Sequence, residues 1–220
     1  GSEMCIRDRR KTNTMEQMQI LLAILVLLPF VSALLLALCG SDRMRRLIVY
    51  GSAGVLMISA VAFAVCFFSG ENLQLRFLQS GGIIDHTMLA LEAGFAVLIT
   101  VLSIKYRRYY VAVLSIVQTV LTFVYELGGY KPAVQPYNLF TDQLTVIMVL
   151  IIAVVGTLIT VYAVGYMRDY HNHHKEYTDR RRFFFAMLYV FLGAMFGLVL
   201  SNSLLWLYFF WEITSLVSFL

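Results

Sequence analysis

The stretch from Ser201 to Leu220 is an apolar run of membrane-helix type that nevertheless carries a carboxylate, Glu212. With a helix starting near Ser203, Glu212 lies about 13 Å along it at 1.5 Å per residue, near the middle of a ~30 Å hydrocarbon layer. An ionised side chain at that depth costs at least ~3 kcal/mol, and such residues usually face a polar interior or an ion path. The chemistry open to a carboxyl there is proton transfer. On a helix, Tyr208, Glu212 and Ser215 fall on one stripe, with Trp211, Thr214 and Ser218 beside it. Tyr208 and Ser215 are therefore supporting candidates. The structural alternative is a glutamate that only pins helices together by hydrogen bonding.

Other chemistry-bearing residues point elsewhere. His171, His173 and His174 form an H-x-H-H cluster with Asp169 and Glu176. No second group of ligands stands at a fixed spacing, so a solvated basic loop is preferred over a metal site. Glu92 sits one turn inside its apolar run, counted from residue 88, and reads as structural, reaching the interface. Glu126 lies at a helix end and reads as solvated. The three cysteines are too few and scattered for a disulfide framework or metal cage, and Cys39 and Cys66 read as packing residues. No phosphate loop, flavin or haem box, or nucleophile–base pair is present, so no cofactor is expected in this chain and electron-transfer chemistry is not encoded in it.

At 220 residues, 60% hydrophobic and 14% charged, with mean hydropathy +0.78, this is an integral membrane chain and not a soluble domain with one core. A pI near 9.0 would suggest nucleic acid in a soluble protein. Here the basic residues occupy short loops between apolar runs, where they set orientation, and no nucleic-acid partner is expected.

The elements that must position Glu212 are read from those runs: about 17–38, 47–69, 88–104, 109–127, 143–167, 183–201 and 203–220. The expectation is an all-α polytopic bundle of about seven membrane helices. The seventh stops while still apolar, so the chain is expected to be truncated. Residues 1–14 read as a non-native leader, with Met15 the better start. The run 20–38 is too long for a signal peptide and contains Pro29 as a tolerated kink. Loops 39–46, 105–108 and 168–182 hold three, three and five Lys/Arg, which places the amino terminus outside. Segment 70–87 is either a short hairpin or a surface loop. Loop 128–142 reads as an ordered turn, with Asp142 starting the next helix. Gly193-Ala-Met-Phe-Gly197 is a small-xxx-small pattern for close helix packing. The hairpin 88–127 carries no mid-depth charge and is expected at the periphery, contributing no ion path.

Asp142-Gln-Leu-Thr, Val164-Gly-Tyr-Met167, Arg182-Phe-Phe184 and Asn202-Ser-Leu-Leu-Trp-Leu-Tyr-Phe-Phe-Trp-Glu212 together resemble the amino-terminal part of the antiporter-like membrane subunits. That family includes subunit L of NADH–quinone oxidoreductase (complex I), the large Mrp-type cation/proton antiporter subunit and membrane subunits of energy-converting hydrogenases. The likeness covers about 138–220, which divides the chain into amino-terminal helices 15–137 and the start of a proton-channel domain, 138–220. It implies that Glu212 is the family's intramembrane glutamate, paired with a lysine beyond Leu220. It implies no role for Tyr208 or Ser215.

Subunit L usually has two helices before the one starting at Asp142; here the pair 88–127 intervenes, which tilts the expectation towards a hydrogenase-type or other ferredoxin-linked relative. Ser201 stands where an acidic residue often precedes the family's asparagine. The expected function is proton translocation in a complex I-type or hydrogenase-type complex, with redox cofactors in partner subunits. The alternatives are an Mrp-type sodium/proton antiporter subunit and a non-transporting assembly protein. Expected partners are other membrane and peripheral subunits, the lipid bilayer, and protons or sodium. The expected location is a bacterial or archaeal inner membrane.

Overall fold

The computed structural model describes residues 2–69, 75–79, 83–127, 137–173 and 180–219, with side chains over 15–69, 86–125, 137–170, 173 and 180–218. Among these residues seven helices and two short strands follow in order: α1 (Ser2–Leu38), α2 (Asp42–Ser69), β1 (Leu75–Gln79), α3 (Ile83–Lys105), α4 (Tyr109–Leu127), β2 (Tyr137–Thr141), α5 (Gln143–His173), α6 (Arg181–Leu200) and α7 (Leu204–Phe219). Five helices are long and apolar enough to cross a membrane, and α4 and α7 are shorter apolar helices. The protein is a multi-pass helical membrane protein, as its hydropathy implied. Large apolar side chains such as Ile58, Leu121 and Leu158 stand exposed on the helices, which suits a lipid-facing surface.

The bundle has a main body and a hinged-on edge. Helix α1 packs against α2 and α6, α2 against α5, and α5 against α6. Their common core includes Leu25, Leu56, Phe63, Val149, Tyr189 and Phe196. Inside it the Tyr189 hydroxyl shares a 2.6 Å hydrogen bond with Ser52 Oγ and donates one of 3.1 Å to the Val49 carbonyl, joining α2 to α6. A second cluster forms where α7 meets α6 and α3. Helix α3 pairs with α4 through a tight turn in which Arg107 adopts φ 56°. Its amide donates to the Ile104 carbonyl at 3.0 Å and that of Arg108 to Ser103 at 2.8 Å, the double closure that ends a helix with a left-handed residue.

Glycines set the closest helix contacts. A Cβ on Gly193 would lie 2.9 Å from the Phe30 ring of α1, and one on Gly197 would lie 2.4 Å from the Phe210 ring of α7. The small-xxx-small pattern thus seats one aromatic ring from each neighbouring helix, as its spacing suggested.

The two membrane faces are distinct. On one, Arg181 Nη1 of α6 reaches Asp42 Oδ2 of α2 at 3.4 Å, and Arg45, also paired with Asp42, stands 5.7 Å over the Phe185 ring. On the other, β1 and β2 pair antiparallel, with Leu75 opposite Thr141 and Gln79 opposite Tyr137. Within segment 70–87, residues 75–79 form a strand whose partner lies some sixty residues on (Phe77 opposite Leu139), and α3 begins at Ile83. Residues 128–136, with the glycines and prolines of the expected turn, lie outside the described residues, as does the Glu126 side chain.

Helix ends also differ from the apolar runs. Helix α5 continues to His173, because Arg168, Asp169 and Tyr170 are helix-compatible once past the hydrocarbon. Helix α3 begins at Ile83, five residues before its expected start. At the head of α5, Asp142 Oδ1 accepts hydrogen bonds from the Thr145 amide at 2.7 Å and the Thr145 hydroxyl at 2.8 Å, the expected N-cap. The backbone hydrogen bond from Thr145, and then its hydroxyl, hold the Asp142 carboxyl below its ordinary pKa. A depressed carboxylate stabilises the folded state above the unfolded pKa of about 3.9 and loses that effect as pH falls through the folded value. Asp142→Ala should lower stability by about 1 kcal/mol at neutral pH. Thermal unfolding in detergent should show the difference shrinking only under acid conditions; a difference independent of pH down to that range would contradict the cap.

Candidate functional site

Helix α7 starts at a break in the chain that β2 holds in place. Ser201 Oγ donates to the Gly197 carbonyl at 2.7 Å, closing α6. The Asn202 amide donates to the Asn138 carbonyl at 2.8 Å, and its side-chain Nδ2 to the Tyr137 carbonyl at 2.9 Å. A further bridge joins Leu139 to Ser201. Asn202 thus spends its polar groups fastening the start of α7 to β2, which fixes the height at which Glu212 enters the membrane.

Glu212 stands eight residues into α7, about 12 Å below that start. Its Oε1 accepts two hydrogen bonds: one from the Tyr208 hydroxyl at 2.7 Å and a short one from Gln118 Nε2 of α4. Its Oε2 is enclosed by protein and accepts no hydrogen bond among the described residues. One oxygen is therefore held by two donors, while the other has none among the described residues. Of the stripe expected on α7, Tyr208 converges on Glu212. Ser215 does not: it is exposed and makes no hydrogen bond to Glu212 among the described residues. The reason is rotation. Glu212 turns towards α4, so the position one turn further on faces outward.

The hairpin 88–127 takes part, contrary to the expectation that it contributes nothing at mid-depth. Gln118 is nine residues from the Leu127 end of α4, and Glu92 nine residues from the Ile83 end of α3. Gln118 therefore lies about 13 Å along α4 from that end, where it meets Glu212, and Glu92 about as far from the start of its own helix. The expected interfacial Glu92 is instead buried, at 3% exposure. Its stripe on α3 faces α7, and packing against that helix covers the carboxyl.

Met88 and Phe95 belong to the cluster that packs on α7, and Phe95 meets Phe209 edge-on with centroids 5.8 Å apart. Glu92, four residues after Met88 and three before Phe95, shares that stripe and lies within electrostatic reach of Tyr208. Between the two helices of the pair, Ser115 Oγ points to the Ala96 carbonyl at 3.4 Å, holding α4 against α3 one turn from Gln118.

Gln118 was missed from the sequence, although a signal exists. Ser115, Gln118 and Thr122 form a polar stripe at three- and four-residue spacing within an apolar run. In the histidine cluster, His173 Nδ1 lies 2.8 Å from the Asp169 carbonyl, a helix-end contact. His174, Glu176 and the side chain of His171 fall outside the described residues. Among the described residues no group of three or more His, Cys, Asp or Glu is placed to hold a metal ion.

Residues 135–184 match the family model described as the N-terminus of chain 5 of NADH-ubiquinone oxidoreductase (complex I). The chain is similar to a "Na(+)/H(+) antiporter subunit A1" of Staphylococcus haemolyticus, 32% identical over 112 residues, which is 51% of this chain and 13% of the relative. It is also similar to a protein of the same name from Staphylococcus aureus, 27% identical over 151 residues, covering 61% of this chain and 18% of the relative. The chain spans less than a fifth of the length of these relatives.

Proposed function

We infer that this chain acts as an antiporter-like proton-conducting membrane subunit and carries protons at Glu212 as part of a cation/proton exchanger of the Mrp type. The observation that carries the reading is the Glu212 carboxyl eight residues into the apolar helix α7, with two donors on one oxygen and an enclosed second oxygen. A carboxyl used only as helix glue has reason to satisfy both oxygens, because each unpaired buried one costs free energy. The names of the relatives favour sodium/proton exchange over the redox-driven function put first from the sequence. Their names mention no NADH, quinone or electron transport. The redox reading keeps one support, the complex I description of the family model. In that reading the redox cofactors sit in partner subunits and this chain only moves protons.

Either way the chain acts with other membrane subunits. The arginine-bearing face, with Arg45, Arg46, Arg168 and Arg181, is placed inside by the positive-inside rule, in a bacterial or archaeal cell membrane. The discriminating experiment uses the full-length protein assembled with its partner subunits in everted membrane vesicles. After a pH gradient is formed, added sodium should collapse it in vesicles containing the complex and not in vesicles lacking it. A sodium-insensitive complex whose proton movement requires quinone reduction would replace the antiport reading with the redox one.

A further inference from the structure

We propose that Glu92 is a second proton-carrying acid of this site, exchanging a proton with Glu212 across Tyr208. The inference rests on the reading of Glu212 as a proton carrier and adds the route by which its proton arrives. It stands on placement. Glu92 is buried within a helix long and apolar enough to cross a membrane, on the stripe of α3 whose Met88 and Phe95 pack against α7. Tyr208, one turn above Glu212, donates its hydroxyl to Glu212 Oε1 and lies in the field of Glu92. A carboxyl on α3, a hydroxyl on α7 and a second carboxyl on α7 thus follow one another across the α3–α7 contact.

A buried carboxyl inside a bilayer is costly and marks an ion or proton path when another titratable group is beside it. A neutral Tyr208 in the field of both carboxyls can accept a proton on one side and release one on the other. The step balances without any further reagent. The Glu92 O–H proton passes to the Tyr208 oxygen while the Tyr208 proton passes to Glu212 Oε1. Glu92 ends as the carboxylate, Glu212 as the acid, and Tyr208 is neutral before and after. Gln118, donating to the same Oε1, holds the acceptor in line throughout. The hairpin α3–α4 then supplies both the entry acid and the positioning amide.

The test uses the full-length protein assembled with its partner subunits in everted vesicles, comparing Glu92→Gln, Glu92→Asp and Glu212→Gln. With assembly intact, Glu92→Gln should slow proton transport at least about tenfold, and Glu92→Asp should recover part of it. Loss in Glu212→Gln with undiminished transport in Glu92→Gln would overturn the relay and leave the Glu212 reading standing. Undiminished transport in both would overturn that reading as well. Should Glu92→Gln fail to assemble, a hydrophobic carbodiimide, which modifies protonated carboxyls, decides the matter on the native residue. At fixed pH the extent of Glu92 modification, read by mass spectrometry, should change at least about twofold when Glu212 becomes Gln, because the acid that takes the proton from Glu92 across Tyr208 is then gone. Identical modification in both proteins would show that Glu92 is uncoupled from Glu212.

Discussion

Glu212→Gln should abolish most proton translocation by the full-length, assembled protein while leaving the amount of assembled complex close to normal. The expectation follows from how the carboxyl is held. Both donors, Tyr208 and Gln118, address Oε1. The glutamine carbonyl can occupy that place and accept both hydrogen bonds, so the local packing survives. Its amide nitrogen then sits where Oε2 stands, and the side chain has no proton to exchange in the physiological range. Removing the proton carrier of such a step costs a factor of about a hundred or more in favourable cases, and at least about tenfold is expected over the leak of vesicles. Glu212→Asp shortens the side chain by one methylene and weakens both contacts to Oε1, yet keeps the acid, so partial transport is expected. The measurement is the rate of pH-gradient formation or collapse in vesicles, normalised to assembled complex. Full transport in the Gln variant would make Glu212 an acceptor that only joins α7 to α4.

Gly197→Leu should have the opposite profile, removing assembled protein and not merely activity. A Cβ at Gly197 would meet three atoms of the Phe210 ring at 2.4 to 2.6 Å. The ring cannot swing clear, since Phe210 is buried and packed beside Trp206 and Phe209, with centroids 6.2 and 5.5 Å away. Overpacking of this kind costs about 1–3 kcal/mol, and a branched four-carbon side chain lies at or beyond the upper end. Helix α7 must then move off α6, carrying Glu212 away from Gln118. The thermal midpoint of the full-length protein in detergent should fall sharply, with Gly197→Ala intermediate. Shrinking the opposing ring in Gly197→Ala/Phe210→Leu should restore part of the loss, because it reopens the space the new methyl needs. A wild-type midpoint for Gly197→Leu would show that α6 and α7 do not approach this closely.

The contrast between the two variants separates chemistry from scaffold. The first removes a proton and leaves the contacts; the second removes contacts around an intact acid. Glu92 lies between these cases in the fold, on a peripheral helix pair that nevertheless reaches the acid. The pair α3–α4 touches the main body mainly through α7, so a change there is transmitted to Glu212 before it is felt in the core around Tyr189.

The amino-acid sequence by itself determined the features that belong to one helix at a time. Apolar length marks the membrane helices because a span must satisfy its backbone internally across a fixed thickness. Asp142 is legible as a cap because its partner, Thr145, is three residues away. Gly193 and Gly197 announce a close approach, and Glu212 announces a reason for its own cost. Tertiary structure alone decided what meets across helices. Gln118 is 94 residues from Glu212 in the chain, and nothing in the periodicity of α4 says which helix its polar stripe will face. Glu92 was misplaced because its burial depends on which helix its stripe faces, and only packing turns that stripe to α7. Ser215 shared a stripe with Glu212 on paper, but a stripe about 100° wide has two edges, and packing turned the Tyr208 edge inward. Strand β1 is five residues long and had no local partner to reveal it; β2 exists as its mate only once α2, α3, α4 and α5 have brought the two ends to one face. Local signals survive in a sequence because they act over one helical turn, whereas the partners of Glu212 are chosen by the rotation and depth of whole helices, which only packing fixes.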